Sequence, residues 1–322
     1  MGEFKMPTVR IGNVPKEHGV LGLGCWAFGQ SYWAGQEDAD SLAAMAAAVE
    51  AGMNHFDTAE GYGKGHSEQL VGKFLAAAPD TVFVATKAFP GELDAAAAEA
   101  QVDIARGRLG IDTIDLFYIH WPREGEDMRP VMQGLESARA KGKIGAVGVS
   151  NFSVEQMRQV CEVGAIDAHQ LCYNLLWRHP EREVIPFCRE NDIAVVTYSS
   201  IAQGILTGKF PRAPEFPDGD GRAKMLLFDS DVWPRVYEGV ERLKEIAAQV
   251  NRPLVDLAIR WVAAQRGVTS ILVGVRNAEQ VRRNAAAMAG DVPDEALRRM
   301  TDISDEVVRH VPDVGNLFRF YP

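Results

Sequence analysis

The chain has 322 residues, 47% of them hydrophobic and 24% charged, with a net charge of −10 and a pI near 5.3. That balance belongs to a globular protein able to bury a sizeable core. It argues against nucleic-acid binding, which calls for Lys/Arg runs or basic patches interleaved with aromatics. No apolar run approaches the roughly 20 residues of a membrane span, and the opening MGEFKMPTVR lacks the apolar centre of a secretion signal, so a cytoplasmic protein with no membrane partner is expected.

Residues 1–5 read as a scar of expression ahead of a natural Met6 and are set aside. The segment TVRIGNVPKEHG, residues 8–19, has the look of a short β-hairpin. From Val20 onward, short β-like apolar runs alternate with longer helical patterns. The expected strands are VLGLGC at 20, NHFDT at 54, VFVATK at 82, TIDLFYIH at 113, AVGVS at 146, AHQLCYN at 168, AVVTYSS at 194 and SILVGV at 270. Between them the expected helices run over 38–51, 67–77, 93–109, 131–141, 153–163, 183–191, 236–265 in two pieces, and 277–288. Ser153 with Gln156 three residues on is a capping box, Gly52 and Gly110 follow helix ends, and the NRP at 251 divides the long helical stretch.

Eight successive βα units predict an α/β fold, a (β/α)8 barrel spanning the whole chain as a single domain. The hairpin would plug its N-terminal end, and a further helix over 294–308 with the tail PDVGNLFRFYP would follow the last unit. The loop 210–234, with Pro211, Pro214 and Pro217, is longer than a connector needs to be and reads as a lid or clamp over a site, with disorder as the competitor. Cys25, Cys161, Cys172 and Cys188 have no CxxC spacing and lie in or beside apolar segments, so they are expected as buried small hydrophobes, not as disulfide partners or metal ligands.

Active sites of such barrels gather at the C-terminal ends of the strands, which makes strand-end residues the ones to inspect. The second strand ends in Asp57, the third in Lys87 and the fourth in His120, and Tyr62 stands on the loop after the second, between Gly61 and Gly63. Each alone has an ordinary explanation: a turn cap, a solvated strand end, a core histidine, a loop aromatic. Three adjacent strands, however, bring all four to one rim. The set suits delivery of a proton to a carbonyl oxygen while hydride reaches its carbon. Tyr62 would be the acid, Lys87 would lower the phenol pKa, Asp57 would hold the ammonium, and His120 would orient the carbonyl by a hydrogen bond.

With DTAEGYG at 57, ATK at 85, IHW at 119, GVSNF at 148, YSSIAQGILTGK at 198 and VGVRNAEQVRRN at 273, the chain resembles the aldo-keto reductases from about residue 20 to residue 284. The resemblance implies that Asp57, Tyr62, Lys87 and His120 form a catalytic tetrad and that NADPH lies extended across the barrel mouth. No G-x-G-x-x-G is present: GYGKG and LGLGCWAFG misplace the glycines, and GILTGKF has Phe210 where a P-loop needs Ser or Thr. Carried over by position, Ser150, Asn151 and Gln170 would bind the nicotinamide carboxamide, and Tyr198 would stack on the ring. The backbone around Ser199, Ile201 and Gln203, with Lys209, would cradle the pyrophosphate. Many relatives have Pro where this chain has Ser200. Arg276, Gln280 and Asn284, at four-residue spacing, would grip the adenosine end, with the Arg276 guanidinium favouring a 2′-phosphate and hence NADPH. Trp26, Trp33 and Trp121 would wall a pocket for a small carbonyl substrate.

Two other classes fit parts of the pattern. Some proteins resembling this family are regulatory subunits of potassium channels that keep the nicotinamide mainly as a bound ligand. A Schiff-base aldolase would use Lys87 as nucleophile but leaves the nicotinamide motifs unexplained. Neither the substrate nor the oligomeric state follows from the sequence.

Overall fold

The structure is a computed structural model describing residues 4–31, 35–77, 80–217 and 220–319. Strands β1 (Thr8–Val9) and β2 (His18–Gly19) pair antiparallel as the expected hairpin. Strands β3 (Leu21–Gly24), β4 (His55–Asp57), β5 (Phe83–Ala88), β6 (Ile114–Ile119), β7 (Ile144–Ser150), β8 (Ala168–Cys172), β9 (Ala194–Tyr198) and β10 (Val268–Gly274) close into a barrel in chain order, β10 pairing with β3. Around it run helices α1 (Asp38–Glu50), α2 (His66–Leu75), α3 (Ala95–Leu109), α4 (Arg129–Ala140), α5 (Val154–Val160), α6 (Val184–Glu190), α7 (Trp233–Gln249), α8 (Leu254–Ala263) and α9 (Ala278–Ala286), followed by α10 (Asp294–Val308). The Ser153 capping box starts α5, Gly110 ends α3 in a left-handed conformation, and the 251 turn separates α7 from α8.

Side chains alternate across each strand, so every second residue enters the barrel. Phe83 and Ala85 of β5, Leu116 and Tyr118 of β6, Ala146 of β7, Ala168 of β8, Val196 of β9 and Leu272 of β10 form one interior cluster. Ile11 and Val14 of the hairpin complete it from below, which makes the hairpin a plug in the literal sense. Gly148 of β7 makes room for this layer, because a Cβ there would fall 2.3 Å from the Tyr118 ring. The opposite strand faces pack on the helices, where Trp261 of α8 is the largest fully buried side chain.

Moving two residues up each strand from this layer reaches Lys87 and Gln170, at 1% and 2% exposure among the most buried polar groups. The barrel interior is thus apolar at this layer, with His18 and His55 packed on Phe83 beneath it, and polar at its C-terminal end. The long loop 210–234 is packed on itself where it is described. Phe210, Phe216, Phe228 and Trp233 form an aromatic cluster, and the Arg222 guanidinium lies over the Phe210 and Phe216 rings. The tail returns to this loop: Leu226 N–H donates to the Leu317 carbonyl at 3.2 Å, and Arg319 pairs with Asp229. One expectation fails here. Cys25, Cys172 and Cys188 are buried, but Cys161, the C-cap of α5, is exposed, one residue beyond the fully buried Val160.

Candidate active site

Lys87 Nζ donates to Asp57 Oδ1 at 2.5 Å and to the Thr58 carbonyl at 2.9 Å. Gln170 Nε2 donates to the other Asp57 oxygen at 2.8 Å. Both carboxylate oxygens therefore have donors inside the barrel, as a buried charge requires. Burial alone would push the Lys87 ammonium towards losing its proton, but the Asp57 charge and hydrogen bond outweigh it and raise the pKa. Lys87 is a fixed cation at the floor of the mouth.

Tyr62 stands above it, its ring centroid 5.2 Å from Lys87 Nζ. The loop carrying Tyr62 is fastened to the strand of Lys87, since Glu60 N–H donates to the Lys87 carbonyl at 2.8 Å. Gly63 has φ +66, and a Cβ on it would meet the Gly29 carbonyl oxygen at 2.2 Å, so the turn that aims the phenol needs glycine there. Burial raises the Tyr62 pKa by more than Lys87 lowers it: the ammonium acts in the expected direction, but the net shift of the phenol is upward. Tyr62 is consequently a neutral O–H donor at physiological pH, with a cation beside it.

His120 closes the group. Its ring lies edge-on to Tyr62 with centroids 5.9 Å apart and is stacked on Phe89 at 4.5 Å. Burial, helped by the Lys87 charge, drives its pKa well below the usual histidine value, which leaves a neutral imidazole with one N–H to donate. Trp26 faces Tyr62 at 6.4 Å, Trp121 is buried beside His120, and Trp33 lies outside the described residues.

The residues expected to hold a nicotinamide meet on the far side of the same mouth. Asn151, with φ +64, accepts from the Tyr198 hydroxyl at 2.7 Å and donates to Ser150 Oγ at 2.9 Å and to the His120 carbonyl at 3.2 Å. Beyond Tyr198 the chain turns through left-handed Ser199, Ala202, Gln203 and Gly204. Gln203 donates to Ser199 Oγ, and Gly204 N–H donates to the Ile201 carbonyl. Ser200 is buried and ties this turn to β10 through the Leu272 carbonyl at 3.3 Å. Lys209 follows with its pKa lowered by burial and by Arg222. Arg276 begins the last βα loop. Its N–H donates to Gln280 Oε1 at 2.9 Å, and Asn284, one turn further along α9, is buried.

Three residues of the mouth were not anticipated. Phe89 continues the inward alternation Phe83, Ala85, Lys87, a signal that was there to be read. Phe318 comes from the tail, where no periodicity announces it, and lies parallel to Tyr198 at 6.3 Å and edge-on to Trp26 at 6.2 Å. Gln36, in the loop after β3, contacts Arg276 in the neighbouring loop after β10.

The pattern defining the Aldo/keto reductase family matches residues 20–305. This chain belongs to that family. It is 31% identical over 287 residues to the aldo-keto reductase YhdN of Bacillus subtilis, covering 86% of this chain and 87% of the relative. It is 30% identical over 328 residues to the NADH-specific methylglyoxal reductase of Escherichia coli, covering 94% of this chain and all of the relative. Among solved structures, the glycerol dehydrogenase AKR11B4 of Gluconobacter oxydans superimposes with a TM-score of 0.85 at 32% identity, covering 95% of this chain and 96% of that one. The protein is thus an aldo-keto reductase barrel, and among its described residues no helix is long and apolar enough to cross a membrane.

Proposed function

We propose that the protein is a cytoplasmic NADPH-dependent reductase of small aldehydes and ketones, working as one barrel domain with Tyr62 as its acid. The observation that carries the reading is the buried Lys87–Asp57 pair lying under a neutral phenol and a neutral imidazole at one barrel mouth. The residues expected to receive the cofactor fit one: an aromatic platform at Tyr198, a hydroxyl at Ser150 and amides at Asn151 and Gln170, a tight backbone turn ending at a cation, and a guanidinium at Arg276. Lys209 and Arg222 face each other with Asp220 as the acid that offsets them, a surplus of positive charge suited to a pyrophosphate.

When bound there, the nicotinamide supplies the hydride that reaches the carbonyl carbon. The chain supplies the rest. The neutral His120 donates a hydrogen bond to the carbonyl oxygen and so holds the carbonyl plane towards Tyr62. Tyr62 gives its hydroxyl proton to that oxygen as negative charge develops on it, leaving a phenolate beside the Lys87 ammonium. Asp57 keeps that ammonium charged and pointed at the phenol, and solvent returns the proton after the alcohol leaves. Trp26, Trp121, Phe89 and Phe318 make the remaining wall apolar and exclude water from the reacting carbon.

The names of two relatives, a methylglyoxal reductase and a glycerol dehydrogenase, support small polar carbonyl and alcohol pairs as the substrate class. One of those names also specifies NADH, so cofactor choice needs its own argument, and Arg276 supplies it. A guanidinium meeting the adenosine 2′-phosphate makes a charge-assisted contact worth about 1.5–3 kcal/mol, or roughly ten- to a hundredfold in affinity. Arg276→Ala is expected to weaken NADPH by that factor and leave NADH nearly unchanged, as read by quenching of tryptophan fluorescence. Equal weakening of both would remove the case for NADPH. Turnover of a panel of short aldehydes, ketones and sugars tests the reductase itself; a protein that binds the cofactor but turns over none of them would be a regulatory nicotinamide-binding subunit instead.

A further inference from the structure

Gln36 lies between β3 and α1 and is 5% exposed. Its amide nitrogen donates to the Arg276 carbonyl and to Ser41 Oγ, both at 2.9 Å, and its amide oxygen accepts from Arg276 Nε at 3.1 Å. One side chain thus holds both the backbone and the guanidinium of a residue 240 positions away.

The two halves of this contact do different work. The bonds from the amide nitrogen suffice to staple the β3–α1 segment to the β10–α9 loop. The bond from Arg276 Nε adds nothing a staple needs, but it sets the plane of the guanidinium, because Nε lies within that plane. The choice of a neutral acceptor also matters. A carboxylate in the same place would pair with Arg276 and cancel much of the charge that a phosphate would meet. An amide fixes the guanidinium without neutralising it.

We propose that Gln36 is a positioning residue for cofactor discrimination: it pre-orients Arg276 so that the cost of ordering a long side chain is met before the 2′-phosphate arrives. The inference rests on the reading of Arg276 as the 2′-phosphate ligand. It assigns to the first βα loop a share in selecting the cofactor, although that loop need not touch the phosphate.

The test compares Gln36→Leu, Gln36→Glu and Arg276→Ala, with dissociation constants for NADPH and NADH measured at low and high salt. Gln36→Leu removes the polar contacts at nearly constant volume, and the NADPH constant is expected to rise about three- to tenfold while the NADH constant stays within about twofold. Gln36→Glu, nearly isosteric, is expected to weaken NADPH by about tenfold or more and to flatten the salt dependence of the NADPH preference, since Arg276 would then be internally paired. The proposal is overturned if Gln36→Leu weakens both cofactors in parallel, as a mere loop staple would. It is likewise overturned if Gln36→Glu keeps the full NADPH preference, a result that stands even if the Leu variant fails to fold. In either case Arg276→Ala still selectively weakens NADPH. If Arg276→Ala itself weakens both equally, the NADPH assignment falls, and the role of Gln36 falls with it.

Discussion

Replacing Lys87 by Met separates the electrostatics of the site from its shape, since the unbranched side chain fills much the same channel without the charge. The parent pair is 0% and 4% exposed at the side chains, so the variant leaves a carboxylate in the barrel with only the Gln170 amide as donor. Breaking one half of such a buried pair costs about 3–5 kcal/mol. The carboxyl has an escape, which is to take up a proton. For a group with an ordinary pKa of about 3.9, that costs about 4 kcal/mol at pH 7, so the two routes give a loss of the same size. Burial already pushes Asp57 upward in the parent, against the pull of Lys87 and Gln170. Without Lys87 the folded pKa lies further above the unfolded one, and the folded state binds the extra proton.

The sign follows directly. A group whose folded pKa is raised in the variant destabilises it above the unfolded value, so the deficit relative to the parent should be small near pH 4. It should then grow by up to about 1.4 kcal/mol per pH unit until the folded pKa is passed. Urea unfolding of parent and variant at several pH values measures it. Adding Asp57→Asn should recover part of the loss, because no uncompensated charge then remains. Carbonyl reduction should be lost in Lys87→Met and should not return as the pH is raised, since reduction needs the protonated phenol and that phenol has lost its cation. A deficit that is flat with pH, or below about 1 kcal/mol at pH 7, would refute the account of Asp57 and Lys87 as a buried charge pair.

Tyr62→Phe removes the proton donor alone, so turnover should fall by about a hundredfold or more with cofactor affinity unchanged; near-parent turnover would reassign the acid. His18 and His55 pack ring to ring at 4.5 Å under the barrel, and burial lowers both pKa values. Both His55 ring nitrogens lack partners, so the neutral ring that the fold holds must resist protonation as the pH drops below the unfolded value of about 6.5. His55→Leu should therefore be at least as stable as the parent at pH 7 and should lose less below pH 6.5, by up to about 1.4 kcal/mol per pH unit, as melting curves across that range would show. Gly63→Ala, with its Cβ driven towards the Gly29 carbonyl, should cost more than about 1 kcal/mol and lower turnover more than it lowers cofactor affinity; a parent-like turnover would mean that the turn does not aim Tyr62.

How far the sequence disclosed this molecule depended on how local each signal was. Strands with period two and helices with period 3.6 declare themselves within about ten residues, and the eight units and the plug follow from that. The same alternation carries His55 to Asp57, Phe83 to Ala85 to Lys87 and Leu116 to Tyr118 to His120, so three of the four catalytic candidates were legible as inward-facing strand ends. The proposed cofactor residues are suggested only by resemblance, because Ser150, Asn151, Gln170 and Tyr198 are ordinary strand-end residues until the barrel brings Ser150, Asn151 and Tyr198 onto one another and Gln170 onto Asp57.

What escaped was whatever depends on distance through space. The Tyr62 pKa turned on burial, which is a property of the assembled mouth; a count of neighbouring charges correctly finds Lys87 but has no measure of the low-dielectric surroundings that oppose it. On the proposed mechanism, a phenol kept neutral by burial suits the role of proton donor, and the Lys87 ammonium would act chiefly on the phenolate left behind. Phe318 belongs to a tail without periodicity and reaches the mouth only because Leu317 and Arg319 anchor it to the 225–229 turn, itself held by the aromatic cluster of the long loop. In the proposed reductase, the wall around the carbonyl would therefore be assembled from segments whose relation is set by tertiary packing. On the proposed function, substitution of Phe318 or of the loop that seats it is expected to alter substrate preference while leaving Tyr62, Lys87, Asp57 and His120 in place.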